Sequence, residues 1–134
     1  MIKKTLVLVV IALSVFMISC KKPLPNKNYE DFEHIDHWDQ LNDLTDEETF
    51  LFYYSPFCPI SRSIEDDVTE YFVILENDGL TIYLIHEGMI YQQGEQPLEI
   101  IETPSILIYE NKEFKEIISG SKPVLDFLEA RVNN

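Results

Sequence analysis

Cysteine is scarce in this chain: only Cys20 and Cys58 occur in 134 residues. At most one internal disulfide is therefore possible, and no disulfide framework holds the fold. Glycine is also scarce, at four residues, and none sits in a phosphate-cradling loop. No serine stands in a nucleophile-elbow context. Basic residues are few: ten Lys and Arg stand against 24 Asp and Glu, a net charge of −14. A chain this acidic does not hold nucleic acid through its phosphates, and an anionic membrane surface repels it. Histidine numbers three. His34 and His37, with Asp36 and Asp39 nearby, read as solvated groups rather than metal ligands, and no motif asks for a cofactor. No internal repeat or low-complexity segment is present.

What remains is a composition of 46% hydrophobic and 25% charged residues, which belongs to a globular domain, and the length suits one domain. The N-terminus is of another class. Lys3 and Lys4 precede "TLVLVVIALSVFMIS", which carries no charge from Thr5 to Ser19. A basic start followed by an apolar stretch too short for a full membrane span is a signal-peptide layout; the competing reading is a short anchor that stays uncut. "MISC", Met17 to Cys20, resembles a bacterial lipobox, with Ser19 the usual small residue, Ile18 tolerated, and Met17 where leucine is customary. That resemblance implies cleavage before Cys20 and a diacylglycerol thioether on its sulfur. Two acyl chains hold a protein on a bilayer where one is marginal. The organisation expected is a lipoprotein signal peptide at 1–19, a lipidated tether at 20–28 punctuated by prolines, and a folded domain at 29–134. The expected location is the outer, extracytoplasmic face of the cytoplasmic membrane in a bacterial envelope. Cys58 is then the one free thiol, in a compartment where disulfide chemistry is available.

Periodicity sets out the elements. Phe32, Ile35, Trp38 and Leu41 predict a short helix within Tyr29 to Asp43. Thr49 to Tyr54 has no charge and suits a central buried strand. Ile60, Ile64, Val68, Phe72 and Leu75 recur at helical spacing and predict one helix over 59–77, with Pro59 at its first position and Asp78-Gly79 as its stop. Leu80 to Ile85 reads as a second buried strand, and Glu87 to Gln96 as a loop or loose helical connection. Ser105 to Tyr109 and Phe114 to Ser119 read as strands joined by a turn, hence antiparallel, and Pro123 to Val132 as a closing helix. Strands alternating with helices give an α/β class: a central mixed β-sheet with helices on both faces.

This order, with a cysteine at the turn from the first central strand into a helix, resembles the thioredoxin-like superfamily. Three segments carry the resemblance: "FLFYYSPFCPIS", "ETPSILIYENKEF" and "SGSKPVLDFLEARV". It implies a thioredoxin-like fold, with Cys58 as the attacking cysteine and Ser61 in the resolving position of a C-x-x-S motif. It also implies Pro104 as the cis-proline facing the thiol, with Thr103 before it. Phe57 and Pro59, beside the thiol, join Thr103 and Pro104 as the expected substrate-binding residues. The departures are coherent with one another. Phe52 stands where thioredoxins have a buried aspartate for proton transfer to the second cysteine, and that cysteine is absent too. Phe57 replaces the usual tryptophan, and "CPIS" has no glycine.

A cysteine at a helix N-terminus meets unpaired N–H groups and the positive end of the helix dipole, which lowers its pKa. Ser61 is placed to donate to the sulfur, and Arg62 adds a positive charge that Glu65 to Asp67 oppose. Two readings follow. In one, a membrane-anchored thioredoxin-like protein exchanges thiols and disulfides with exported proteins, using Cys58 as sole nucleophile. It then works as an isomerase or mixed-disulfide former rather than an efficient reductase. In the other, a non-catalytic thioredoxin-fold lipoprotein binds a peptide or an envelope partner, as in the bacteriocin-transport accessory proteins that it also resembles.

Overall fold

The computed structural model describes residues 23–44, 47–90 and 102–134. The expected signal peptide, Cys20, and the part of the 87–96 connection beyond Ile90 lie outside the described residues. Strand β1 (Thr49–Tyr54) is buried at all six positions, as its lack of charge requires. It pairs in parallel with β2 (Thr81–His86) and antiparallel with β3 (Ser105–Glu110), which pairs antiparallel with β4 (Glu113–Ser119). The sheet order is β2-β1-β3-β4. A rudimentary parallel contact, His34 against Leu84, extends the sheet beyond β2. Leu84 N–H donates to the Glu33 carbonyl at 2.8 Å, and Ile35 N–H to the Leu84 carbonyl at 2.9 Å.

Alternation along β1 sends its side chains to two cores. Phe50, Phe52 and Tyr54 face α2 (Glu65–Asn77) and α4 (Ser121–Val132), packing with Val68, Phe72, Val124 and Leu128, all fully buried or nearly so. Leu51 and Tyr53 face the other way, with Leu107 and Tyr109, onto Ile35, Trp38 and Leu44. Helical elements thus cover both faces of a mixed sheet, the expected fold class.

Two expectations change in detail. The short helix predicted within 29–43 is two 3₁₀ turns, Tyr29–Asp31 and Trp38–Asp43, because the segment between them leaves the helix to bond β2. A short helix, α3 (Glu87–Ile90), begins the polar connection. The helix predicted over 59–77 is interrupted at Ile64, between α1 (Pro59–Ser63) and α2. Two local features favour the break. Ser63 Oγ donates back to the Ile60 carbonyl at 2.8 Å, a bond that bends helices. Glu65, Asp66 and Asp67 then supply an acidic first turn, which favours a fresh helix N-terminus. Ile64 takes φ −107° and ψ 4° and stays buried, so the apolar stripe survives the interruption.

Tyr54 closes β1 with its ring buried and its hydroxyl at the rim. The hydroxyl lies 3.2 Å from Glu30 Oε1 and 2.9 Å from His34 Nε2. His34 Nδ1 lies 2.9 Å from the Phe32 carbonyl oxygen. Among the described residues no three His, Cys, Asp or Glu side chains converge as a metal site, and no helix is long and apolar enough to cross a membrane.

Candidate functional site

Cys58 sits in the turn after β1, its N–H donating to the Ser55 carbonyl at 3.1 Å. It caps α1 with extended backbone, φ −80° and ψ 115°, and Pro59 follows at the first helical position. Proline is suited to that place because its missing N–H has no helical partner there. The thiol is half-buried. Its neighbours Phe57, 87% exposed, and Ile60, 52% exposed, give it an apolar rim. The two side chains leave apolar surface exposed next to the thiol.

The second wall comes from the start of β3. Ser105 is paired opposite Tyr53, so the residues before β3 arrive at the end of β1 from which Cys58 emerges. The Thr103–Pro104 peptide bond is cis, as expected from the sequence. Thr103 is near enough to the Cys58 sulfur for its side chain to lower the thiol's pKa. The approach is fixed by Ser105 Oγ, which donates to the Glu102 carbonyl at 2.7 Å and lies 2.9 Å from Ser119 Oγ.

These groups lower the pKa of the Cys58 thiol from its ordinary value. The Ser61 backbone N–H is the largest contributor; partial burial pulls the other way; the Thr103 hydroxyl, the Ile60 N–H and the Ser61 hydroxyl add to the lowering. Hydrogen bonds to a charged form favour it. The sequence reading assigned part of this effect to a long helix dipole. With the helix interrupted at Ile64, α1 is a single short turn, so the lowering rests on local donors instead.

Ser61 is the clearest feature of the site. It is fully buried, and its hydroxyl has no hydrogen-bond partner. A buried unsatisfied hydroxyl costs about 1–3 kcal/mol. A thiolate is a stronger acceptor than a thiol, and the Ser61 hydroxyl adds to the lowering of the Cys58 pKa. Ser61 therefore favours the thiolate without being able to attack it.

Phe52 lies in the aromatic core. It is fully buried, stacked on Tyr54 at 6.0 Å and edge-on to Phe72 at 5.3 Å. No carboxylate is part of that packing.

The structure brings Cys58, Ser61, Thr103 and Pro104 together, with Phe57 and Pro59 exposed on the rim. Sequence reasoning passed over two contributors. Gly120, part of the quoted segment "SGSKPVLDFLEARV" but given no role at the site, donates its N–H to the Pro104 carbonyl at 2.9 Å. Tyr29, read as the start of a short helix, bonds its phenol to the Ser61 carbonyl at 2.9 Å. Neither carries a local pattern that marks it, since each acts on a partner remote in sequence.

No protein-family model matches the chain, and no curated protein matches it significantly. Solved structures do. The thioredoxin of Malassezia sympodialis superposes with a TM-score of 0.65 at 16% identity, over 84% of this chain and 96% of that one. Mitochondrial thioredoxin 3 of Saccharomyces cerevisiae, in its oxidized form, gives 0.62 at 11% identity, over 80% and 98%. The thioredoxin of Trypanosoma brucei brucei gives 0.60 at 11% identity, over 82% and 98%. Likeness at these identities establishes the thioredoxin fold.

Proposed function

We propose that this chain is a membrane-anchored, extracytoplasmic thioredoxin-like protein that exchanges disulfides with exported proteins, with Cys58 as its sole nucleophile. The observation that carries the reading is the place of Cys58: it caps the turn after β1, half-buried, and the nearby Ser61 and Thr103 groups lower its pKa and so favour the thiolate, which is the attacking species.

The Cys58 thiolate attacks one sulfur of a substrate disulfide. A Cys58–substrate disulfide forms, the substrate S–S bond breaks, and the released substrate thiolate takes a proton from water. Ser61 is an alcohol and does not resolve this adduct. If another thiol of the same substrate attacks the substrate sulfur, Cys58 leaves as thiolate. The substrate is then re-paired with no net change in oxidation state. If a small dithiol attacks instead, it is oxidised and the substrate reduced. The site thus favours isomerisation and lasting mixed disulfides over efficient reduction. Phe57 and Ile60 bind apolar substrate segments beside the thiol, and the Thr103–Pro104 backbone receives an extended one.

The anchoring part of the reading is supported by the "MISC" motif after an uncharged segment. The alternative, a non-catalytic binder of a peptide or envelope partner, keeps the same rim and does without a tuned thiol. The pH dependence of Cys58 alkylation separates the two. A midpoint below the free-thiol value of about 8.5, with substrate adducts on non-reducing gels, is expected. A midpoint at or above that value, with no adducts recovered, overturns the catalytic reading in favour of binding.

A further inference from the structure

Tyr29 is tied to the helical segment after Cys58 on both sides of its interruption. Its phenol donates to the Ser61 carbonyl at 2.9 Å in a buried bond. Its backbone N–H donates to Glu65 Oε1 at 2.8 Å. Ile64, where the helix breaks, lies between those two acceptors. The ring is 3% exposed and packs on Phe52 and Tyr54, with centroids 5.2 and 4.7 Å away. Tyr29 is itself held by a cap. The Asn28 side chain accepts from the Glu30 N–H at 3.1 Å, and the Asp31 carboxylate accepts from the Asn28 N–H at 2.9 Å. Burial, and then the nearby Glu65 carboxylate, push the phenol's pKa up, so it stays a neutral donor across the working range.

The break gives this bond its consequence. In a continuous helix the orientation of each peptide is set by bonds to the next turn. Ser61 stands in a single turn, and its outer carbonyl faces the interruption. Ser61 is the third residue of the turn that Cys58 caps, so its N–H and its buried, partnerless hydroxyl lie on the cysteine's side of that turn, and both act to lower the Cys58 pKa. A small rotation of that turn directs both donors away at once.

We propose that Tyr29 is a positioning residue for Cys58: by holding the Ser61 carbonyl across the helix break, its phenol fixes the turn that carries the Ser61 N–H and hydroxyl beside the sulfur. The proposal rests on the reading of Cys58 as a nucleophile. It makes the point where the tether meets the domain part of the thiol's control.

The test is iodoacetamide alkylation of Cys58 from pH 5 to pH 10 in the full chain, as wild type, Tyr29→Phe and Tyr54→Phe. Tyr54→Phe is the matched control, since it deletes a hydroxyl from the same aromatic cluster, one bonded to Glu30 and His34. Tyr29→Phe should raise the alkylation midpoint by about half a pH unit, which leaves about threefold less thiolate well below the midpoint. Tyr54→Phe should leave the midpoint unchanged. The backbone amide resonance of Ser61 should move in Tyr29→Phe and stay in Tyr54→Phe, a readout that does not depend on reactivity. A low wild-type midpoint that Tyr29→Phe leaves in place overturns the positioning role and spares the nucleophile. Equal shifts in both variants overturn it as well, because they indicate general loosening. A wild-type midpoint at or above about 8.5 overturns the underlying reading instead.

Discussion

Gly120 holds Pro104 from behind: its N–H donates to the Pro104 carbonyl at 2.9 Å, from the junction of β4 and α4. It does so at φ +94°, in the left-handed region that glycine enters without steric cost. A Cβ there would lie 3.4 Å from Glu102 Oε1 and 3.5 Å from Pro123 Cδ, contacts that are tolerable, so the penalty of a side chain is conformational. Gly120→Ala should therefore destabilise the fold by about 1 kcal/mol or more. A thermal melt should show Tm falling by about 4–8 °C for each kcal/mol. An unchanged Tm would show that the junction relaxes freely and does not brace the proline.

Ser61→Ala should act on stability and on reactivity in opposite directions. While Cys58 is a thiol, removing the unpartnered hydroxyl relieves a buried unsatisfied group, so stability below the thiol's pKa should hold or rise by about 1 kcal/mol. Reactivity should fall, because one donor to the thiolate is lost, but only in part, because the Ser61 N–H remains. Denaturant unfolding at pH 6 and an alkylation profile check the pair of signs. A variant that is both less stable and equally reactive would contradict the role assigned to the hydroxyl.

Ser61→Cys should create a dithiol pair one helical turn apart and raise insulin reduction with dithiothreitol well above the weak wild-type rate. The gain should stop short of an efficient reductase, since Phe52 provides no carboxylate to take the second thiol's proton. Phe52→Asp is not expected to supply one. It puts a charge in an aromatic core, where losing a buried Phe alone costs about 3–5 kcal/mol and burying an unpaired carboxylate adds to that. The soluble yield of Phe52→Asp measures this, and a well-folded Phe52→Asp would refute it.

The lowered Cys58 pKa also predicts how stability changes with pH. The thiol ionises more readily in the folded state than in the unfolded chain. Its contribution is therefore complete above the unfolded value of about 8.5 and is lost as pH falls through the folded one. Relative to Cys58→Ala, wild-type protein should gain stability as pH rises through that window and level off above it. A difference that stays flat from pH 5 to pH 9 would remove the linkage.

Cys20→Ala should release the protein from membranes or stall its processing, as read from fractionation and from intact mass. A native protein with Met1 retained and an unmodified Cys20 would contradict lipidation.

Much of the fold was legible because local periodicity reports burial. The uncharged run from Thr49 to Tyr54 predicted the central strand, and the stripe from Ile64 to Leu75 predicted the helical face against it, whereas Ile60, read as the start of that stripe, is exposed beside the thiol. The break at Ile64 was hidden for the same reason: Ile64 stays on the apolar stripe, so the pattern runs through the interruption. The turns at Tyr29–Asp31 and Trp38–Asp43 misled in the converse way. Their apolar residues keep helical spacing, but the backbone between them is drawn off by Leu84.

The sequence by itself determined the chemistry available at the site. A thiol, Cys58, stands at a strand-to-helix turn, with the alcohol Ser61 three residues after it and the apolar Phe52 six residues before it. Those facts are residue identities at local positions, and no packing alters them. Only the tertiary structure decided how the thiol is tuned. Thr103 reaches Cys58 because β3 lies antiparallel to β1 with Ser105 opposite Tyr53. Tyr29 reaches Ser61 because the chain entering the domain lies across the broken helix. Such contacts are set by strand register and chain crossing, which depend on partners far apart in sequence and leave no local period to read.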